Sequence, residues 1–206
     1  MKRIALLALA LIAPMSTARA DMILNGGFEA PVITNPSFST FQSIPGWTTA
    51  FGPGIEIQNH VAGSPFEGNQ FVELDSSANS GMYQDIGTVI GQQYLLSFAY
   101  SPRPGVAANS TGIDVLWGGS LVSGIAQSGV GLSDTAWQIF TFNLTATSDV
   151  TRLQFNATGI SDSLGGYIDA VSVNAVPEPS SLAMCGIAGL GIVARMRRNR
   201  KLVASE

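Results

Sequence analysis

Three carboxylates, Glu56, Glu73 and Asp85, fall in short strand-like runs of this 206-residue chain. Two carboxylates about 5 Å apart would suit a retaining glycosidase, and a pair about 9 Å apart an inverting one. Spacing along the chain brings no two of them together, and the ordinary reading is a set of surface acids. His60 is the only histidine, so a Ser-His-Asp triad would depend on it, and no Gly-x-Ser-x-Gly elbow is present. Zinc is excluded by the lack of Cys and His clusters, and Gly52-Pro53-Gly54 lacks the lysine and strand–helix setting of a phosphate loop. The chain is therefore expected not to be an enzyme. Binding is better served. An aromatic face stacks on sugar C–H groups while amides and carboxylates meet hydroxyls. Phe51, Tyr83, Trp117 and Arg103 are the candidates for such a surface, with Trp117 favoured because it ends a strand just before Gly118-Gly119. Trp47 and Trp137 read as core.

The elements that must position these groups are strands. Residues 21–176 are rich in Gly, Ser, Thr and Asn and hold no segment of helical period. Runs at 55–58, 70–75, 82–89, 93–101, 112–117, 121–127, 137–147, 151–158 and 167–175 alternate with turn signals. Tyr94, Leu96, Phe98 and Tyr100 share one face, as do Phe140, Phe142 and Leu144, and Leu153, Phe155 and Ala157. With no helices to cover a sheet, these strands must pack sheet on sheet. The expected fold is all-β, a jelly-roll β-sandwich.

The two ends differ from this body. Residues 1–20 begin with Lys2 and Arg3, continue with an apolar core, and close on Ala18-Arg19-Ala20, a signal peptide with its cleavage site. At the other end, Pro177-Glu178-Pro179 precedes a short apolar run and then Arg195, Arg197, Arg198, Arg200 and Lys201. The apolar run, 182–194, is short against the roughly 20 residues of a bilayer span. The basic cluster behind it would stay on the cytoplasmic side. The only cysteine, Cys185, sits in that run, so the body has neither disulfide nor thiol chemistry. The precursor carries a net charge of −4, yet most of its cations lie at the ends. Between Asp21 and Asp169 twelve carboxylates face only Arg103 and Arg152, a net charge of −10. Such a body repels phosphate backbones and suits divalent cations and neutral partners. No nucleic-acid partner is expected.

The C-terminal order, Pro-Glu-Pro, apolar segment, Arg-rich end, resembles the PEP-CTERM sorting signal of exported bacterial proteins over 177–201. The resemblance implies processing by an exosortase-type membrane protease. It also implies transient inner-membrane residence through a short transmembrane sorting helix, and delivery to the envelope, cell surface or extracellular matrix. Such systems accompany exopolysaccharide production, so exopolysaccharide or another glycan is the implied partner. A purely structural matrix protein is the alternative, and a glycan-acting hydrolase comes third.

Within the body, Asn25-Gly26-Gly27-Phe28-Glu29, Pro45-Gly46-Trp47, Gly68 to Asp75, Tyr83 to Ile86, Gln93 to Tyr100 and Tyr167 to Val173 follow in the order seen in galactose-binding-like jelly rolls, including carbohydrate-binding modules. The resemblance implies a structural Ca2+ with Glu29 and Asp169 as ligands, since the first and last strands of a jelly roll can lie side by side. The chain departs from the pattern at Ala170, where the family often has a second Asp. The competing reading has Glu29 capping a turn and Asp169 bonding backbone amides.

Overall fold

The computed structural model describes residues 21–177. The signal segment with Ala18 and Ala20, and the sorting segment from Glu178 and Pro179 onward, lie outside the described residues.

Among the described residues twelve strands form two antiparallel sheets of six. They are β1 (Ser37–Phe41), β2 (Ser43–Ile44), β3 (Trp47–Phe51), β4 (Ile55–Asn59), β5 (Phe71–Glu73), β6 (Gly81–Gly87), β7 (Gln93–Ser101), β8 (Gly112–Trp117), β9 (Ser120–Ile125), β10 (Gln138–Thr145), β11 (Val150–Thr158) and β12 (Tyr167–Ala175). The first sheet runs β1-β4-β5-β12-β7-β10 and the second β2-β3-β6-β11-β8-β9. No helix occurs among the described residues. The fold is the jelly-roll β-sandwich that the motifs imply.

Period-two alternation builds the interior. Tyr94, Leu96, Phe98 and Tyr100 of β7 are buried, and the Phe98 ring meets Phe155 of the facing sheet edge-on at 5.1 Å. Leu153, Phe155 and Ala157 are buried on β11 as expected, while Phe140, Phe142 and Leu144 are half-buried because β10 is an edge strand. Trp47 is core: it packs on Phe28 and Phe155 and donates its indole N–H to Asn25 O at 3.2 Å. Trp137 sits outside this core, half-buried against Phe66, Phe71 and Tyr167.

The N-terminal segment forms no strand, yet it lies along the last one. Met22 N donates to Val173 O at 3.0 Å and Val171 N to Gly26 O at 2.9 Å. Gly26 makes this close approach possible, because a Cβ there would run into the Val171 carbonyl.

Candidate functional site

The outward face of the first sheet is unlike its inward one. In register across four strand pairs stand Thr40 on β1, Glu56 on β4, Glu73 on β5, Tyr167 on β12 and Ser101 on β7. Beside that row lie Phe38, Gln58 and Phe71. Loops cover the β5–β12 part of this face and bury its polar groups: Glu73, Ser101 and Tyr167 are fully buried, and Glu56 is 5% exposed.

Burying a carboxylate is costly unless it is paired, and the two glutamates are treated differently. Glu73 receives Arg103 Nη1 on both oxygens, at 2.8 and 2.7 Å, and Gly165 N at 2.6 Å. Gln58 Nε2 bridges the two acids, bonding Glu73 Oε2 and, at 3.0 Å, Glu56 Oε1. The Gln58 carbonyl oxygen is buried without a partner. Burial pushes Glu73 up to about 8, opposed by Arg103 and reinforced by the Glu56 charge. Burial also raises Glu56, against the Gln58 hydrogen bond and the field of Arg103. The same desolvation holds the Tyr167 phenol well above its ordinary range.

The β1–β4 end of the face is open. A cavity of about 310 Å³ is lined by Phe38, Thr40, Pro53, Glu56, Ser76 and Ser77. Glu56 lines it while only 5% exposed, and Phe38 on β1 is 56% exposed. None of Phe38, Thr40, Ser76 or Ser77 stands out in the sequence. The one available signal is Phe38, an aromatic flanked by serines on a short run whose partly buried parity is held by Ser37, Ser39 and Phe41.

The structure redistributes the residues expected to stack on sugar. Trp117 is corrected from surface to core: it is 7% exposed, packs on Tyr94 and donates its indole N–H to Thr145 O at 3.1 Å. Tyr83 faces outward on the second sheet, but Arg152 covers its ring at 3.6 Å from the centroid. Arg152 also grips Asp85 at 2.8 and 2.9 Å, so Asp85 has no part in a pair with Glu56 or Glu73. Phe51 is 44% exposed at the end of β3 and leans on Gly81. Arg103 belongs to the outward face of the first sheet through Glu73. The four do not form one surface.

Glu29 and Asp169 are brought to a single loop. Glu29 Oε1 accepts Asn69 N and Gln70 N at 2.7 and 2.9 Å. Asp169, fully buried, accepts Phe66 N and Glu67 N at 2.9 and 3.1 Å on one oxygen and Ala170 N at 2.7 Å on the other. Burial pushes Asp169 up to about 7, against those amide bonds and with a further push from Glu67. Ala170, where the family pattern has Asp, adopts φ 50° at a register shift in β12.

Neither arginine of the body serves this loop, since one pairs with Glu73 and the other with Asp85. Among the described residues no three His, Cys, Asp or Glu side chains are grouped to hold a metal. A calcium ion bound by Glu29 and Asp169 would therefore have to draw further oxygens from backbone carbonyls, side-chain amides or water.

Residues 175–198 match the PEP-CTERM protein-sorting motif. That motif marks the chain as an exported, sorted protein of the cell envelope, and it falls where the Pro-Glu-Pro order placed it. Over 158 residues the chain is 33% identical to a multifunctional-autoprocessing repeats-in-toxin protein of Vibrio vulnificus. The match covers 75% of this chain and 3% of that relative. Among solved structures, a Stig cyclase from Fischerella sp. TAU aligns with 78% of this chain and 99% of its own, at 16% identity and TM-score 0.56. A carbohydrate-binding module solved with β-1,4-galactotriose aligns with 76% of this chain and 99% of its own, at 14% identity and TM-score 0.46. At such identities the likeness to the cyclase is one of fold.

Proposed function

We propose that this chain is a non-enzymatic glycan-binding protein of the envelope or extracellular matrix. In this reading an exosortase-type protease cuts it near Pro177, and its body holds exopolysaccharide at the cavity beside Glu56. The observation that carries the reading is the cavity's composition. An exposed ring, Phe38, stands with the hydroxyls of Thr40, Ser76 and Ser77 around one carboxylate. That is the pairing of apolar face and hydrogen-bonding groups that a pyranose needs. Hydrolysis is disfavoured by the same geometry. A glycosidase needs both carboxylates on its substrate, and Glu73 is fully buried beneath Arg103, Gly165 and Gln58.

The test uses the exported chain, purified from the producing culture. It should be retarded on an affinity gel carrying the producer's own exopolysaccharide. Phe38→Ala should weaken the interaction about 3- to 10-fold, the scale of one aromatic contact. Absence of retardation would leave the structural-matrix alternative. The mass of the same material reports the cut, and a C-terminus far from Pro177 would contradict the processing step.

Calcium at Glu29 and Asp169 is a second proposal, supported by two carboxylates that meet one loop with no arginine to balance them. A cation held only by the folded state adds stability by mass action. Chelation should then lower the melting temperature by several degrees, and Glu29→Ala should abolish that response. An unchanged melt after chelation would mean that the backbone amides alone satisfy the two acids.

A further inference from the structure

We infer that the cavity on the outward face of the first sheet takes an amino sugar, a hydroxyl-rich ring bearing a protonated amine, with Glu56 as the counter-charge to that amine. The inference rests on the glycan reading above and narrows it to a ligand class. Glu56 is 95% buried in the sense that only 5% of it is exposed, yet it lines the cavity. Its one side-chain partner is the neutral amide of Gln58 at 3.0 Å. Arg103 lends it a field but spends its contacts on Glu73, and Arg152 is on the other sheet with Asp85. The further charge facing Glu56 is that of Asp75, which is negative. A buried carboxylate without its own cation beside an open cavity is a ready acceptor for a ligand ammonium.

The surrounding groups add the rest of the ring's recognition. Thr40 stands directly opposite Glu56, and Ser76 and Ser77 also line the cavity. Phe38 and Pro53 offer the apolar surface. The net charge of −10 in the body works in the same direction, attracting cationic chains and repelling uronate or sulfated ones.

The experiment titrates the exported chain with β-1,4-linked oligomers of glucosamine, N-acetylglucosamine and glucose near neutral pH, where the raised Glu56 carboxyl keeps more of its charge than in acid, in low and high salt. Glucosamine oligomers should bind at least ~10-fold tighter than the other two, as expected for one charge-assisted hydrogen bond. Salt should shrink that preference. Glu56→Gln should erase it, with a melting curve showing that the variant is folded. If that variant unfolds, Thr40→Lys tests the same point, since an ammonium fixed opposite Glu56 should block the amine. Equal affinity for the acetylated or glucose oligomers would overturn the amine assignment and leave the glycan reading standing. An amine preference that survives both variants would overturn the role of Glu56. Binding to none of the three would overturn the inference, and the affinity gel would then decide the glycan reading separately.

Discussion

Arg103→Gln is expected to lower the melting temperature by about 10 °C at about pH 9, and by far less at about pH 5. Removing one partner of a buried ion pair costs about 3–5 kcal/mol because the other charge is left behind. A domain of this size loses roughly 2–4 °C per kcal/mol. Arg103 is the side-chain cation that Glu73 has, and Glu73 is fully buried. The pH dependence follows from the direction of the shift. Burial holds Glu73 up at about 8 in the folded chain, above its ordinary value, so the folded state binds the proton more tightly than the unfolded state. Stability from that proton is fully present below the ordinary carboxylate value and is lost as the pH rises to about 8. Without Arg103 the folded value climbs further, and the loss at alkaline pH deepens. In mild acid Glu73 is protonated in the variant and its charge no longer has to be buried. Melting curves at the two pH values decide the matter. A uniform drop at both would mean that Arg103 acts by packing alone. Glu73→Gln added to the variant should restore most of the alkaline loss, because the amide carries no charge.

Much of the sandwich was legible from local pattern. The bounds of β7, β8 and β12 fall where alternation placed them, since each of those strands buries one full face. The strands β1, β2 and β3 were not legible. On β1 the exposed parity holds Phe38, and β3 shifts register between Thr49 and Phe51, which breaks the alternation. Trp117 shows a different failure. Its position before two glycines suggested exposure, but it shares inward parity with Ile113 and Val115, and that signal was available. Tyr83 does face outward; what no pattern reveals is that Arg152, two strand positions away on β11, lies across its ring.

The site was less legible for the same reason. Glu56 and Glu73 were candidates by type, but their direct opposition depends on the β4–β5 register, and the cavity depends on a loop 20 residues downstream of Glu56. The strongly acidic composition also acquires a local cause. Asp21, Glu29, Glu73, Asp75, Asp134 and Asp169 each accept backbone N–H groups, so six of the twelve acids of the body fasten loops or termini. A carboxylate offers about four acceptor sites where a hydroxyl offers two, and its charge strengthens each bond. An acid-rich body is what such a fastening scheme leaves in the sequence.

The largest consequence of that scheme falls at Asp169. Asp169→Ala should cost about 3–5 kcal/mol, the sum of three buried amide donors left without an acceptor at roughly 1–3 kcal/mol each, reduced by partial relaxation. In melting temperature this is a fall of about 10 °C. The donors belong to Phe66, Glu67 and Ala170, so the damage should be local before it is global. Amide exchange in the 62–70 segment should speed up well below the melting transition, while that of β7 and β11 stays slow. Asp169→Asn separates charge from geometry. Its carbonyl still accepts the Phe66 and Glu67 N–H groups, so the loop should stay protected, whereas its NH2 group faces the Ala170 N–H and loses that bond. Raised exchange in the loop of Asp169→Asn would mean that the negative charge, and not the acceptor geometry, holds the segment. Equal exchange in the wild type and Asp169→Ala would refute the clamp. The distinction bears on the cavity too, because Asp169 and Glu73 are both carried on the outward face of the first sheet, beneath loops that their oxygens hold in place. Loosening one loop should therefore leave affinity for the glycan almost unchanged when Asp169 is the residue altered, since the 62–70 segment supplies no wall of the cavity.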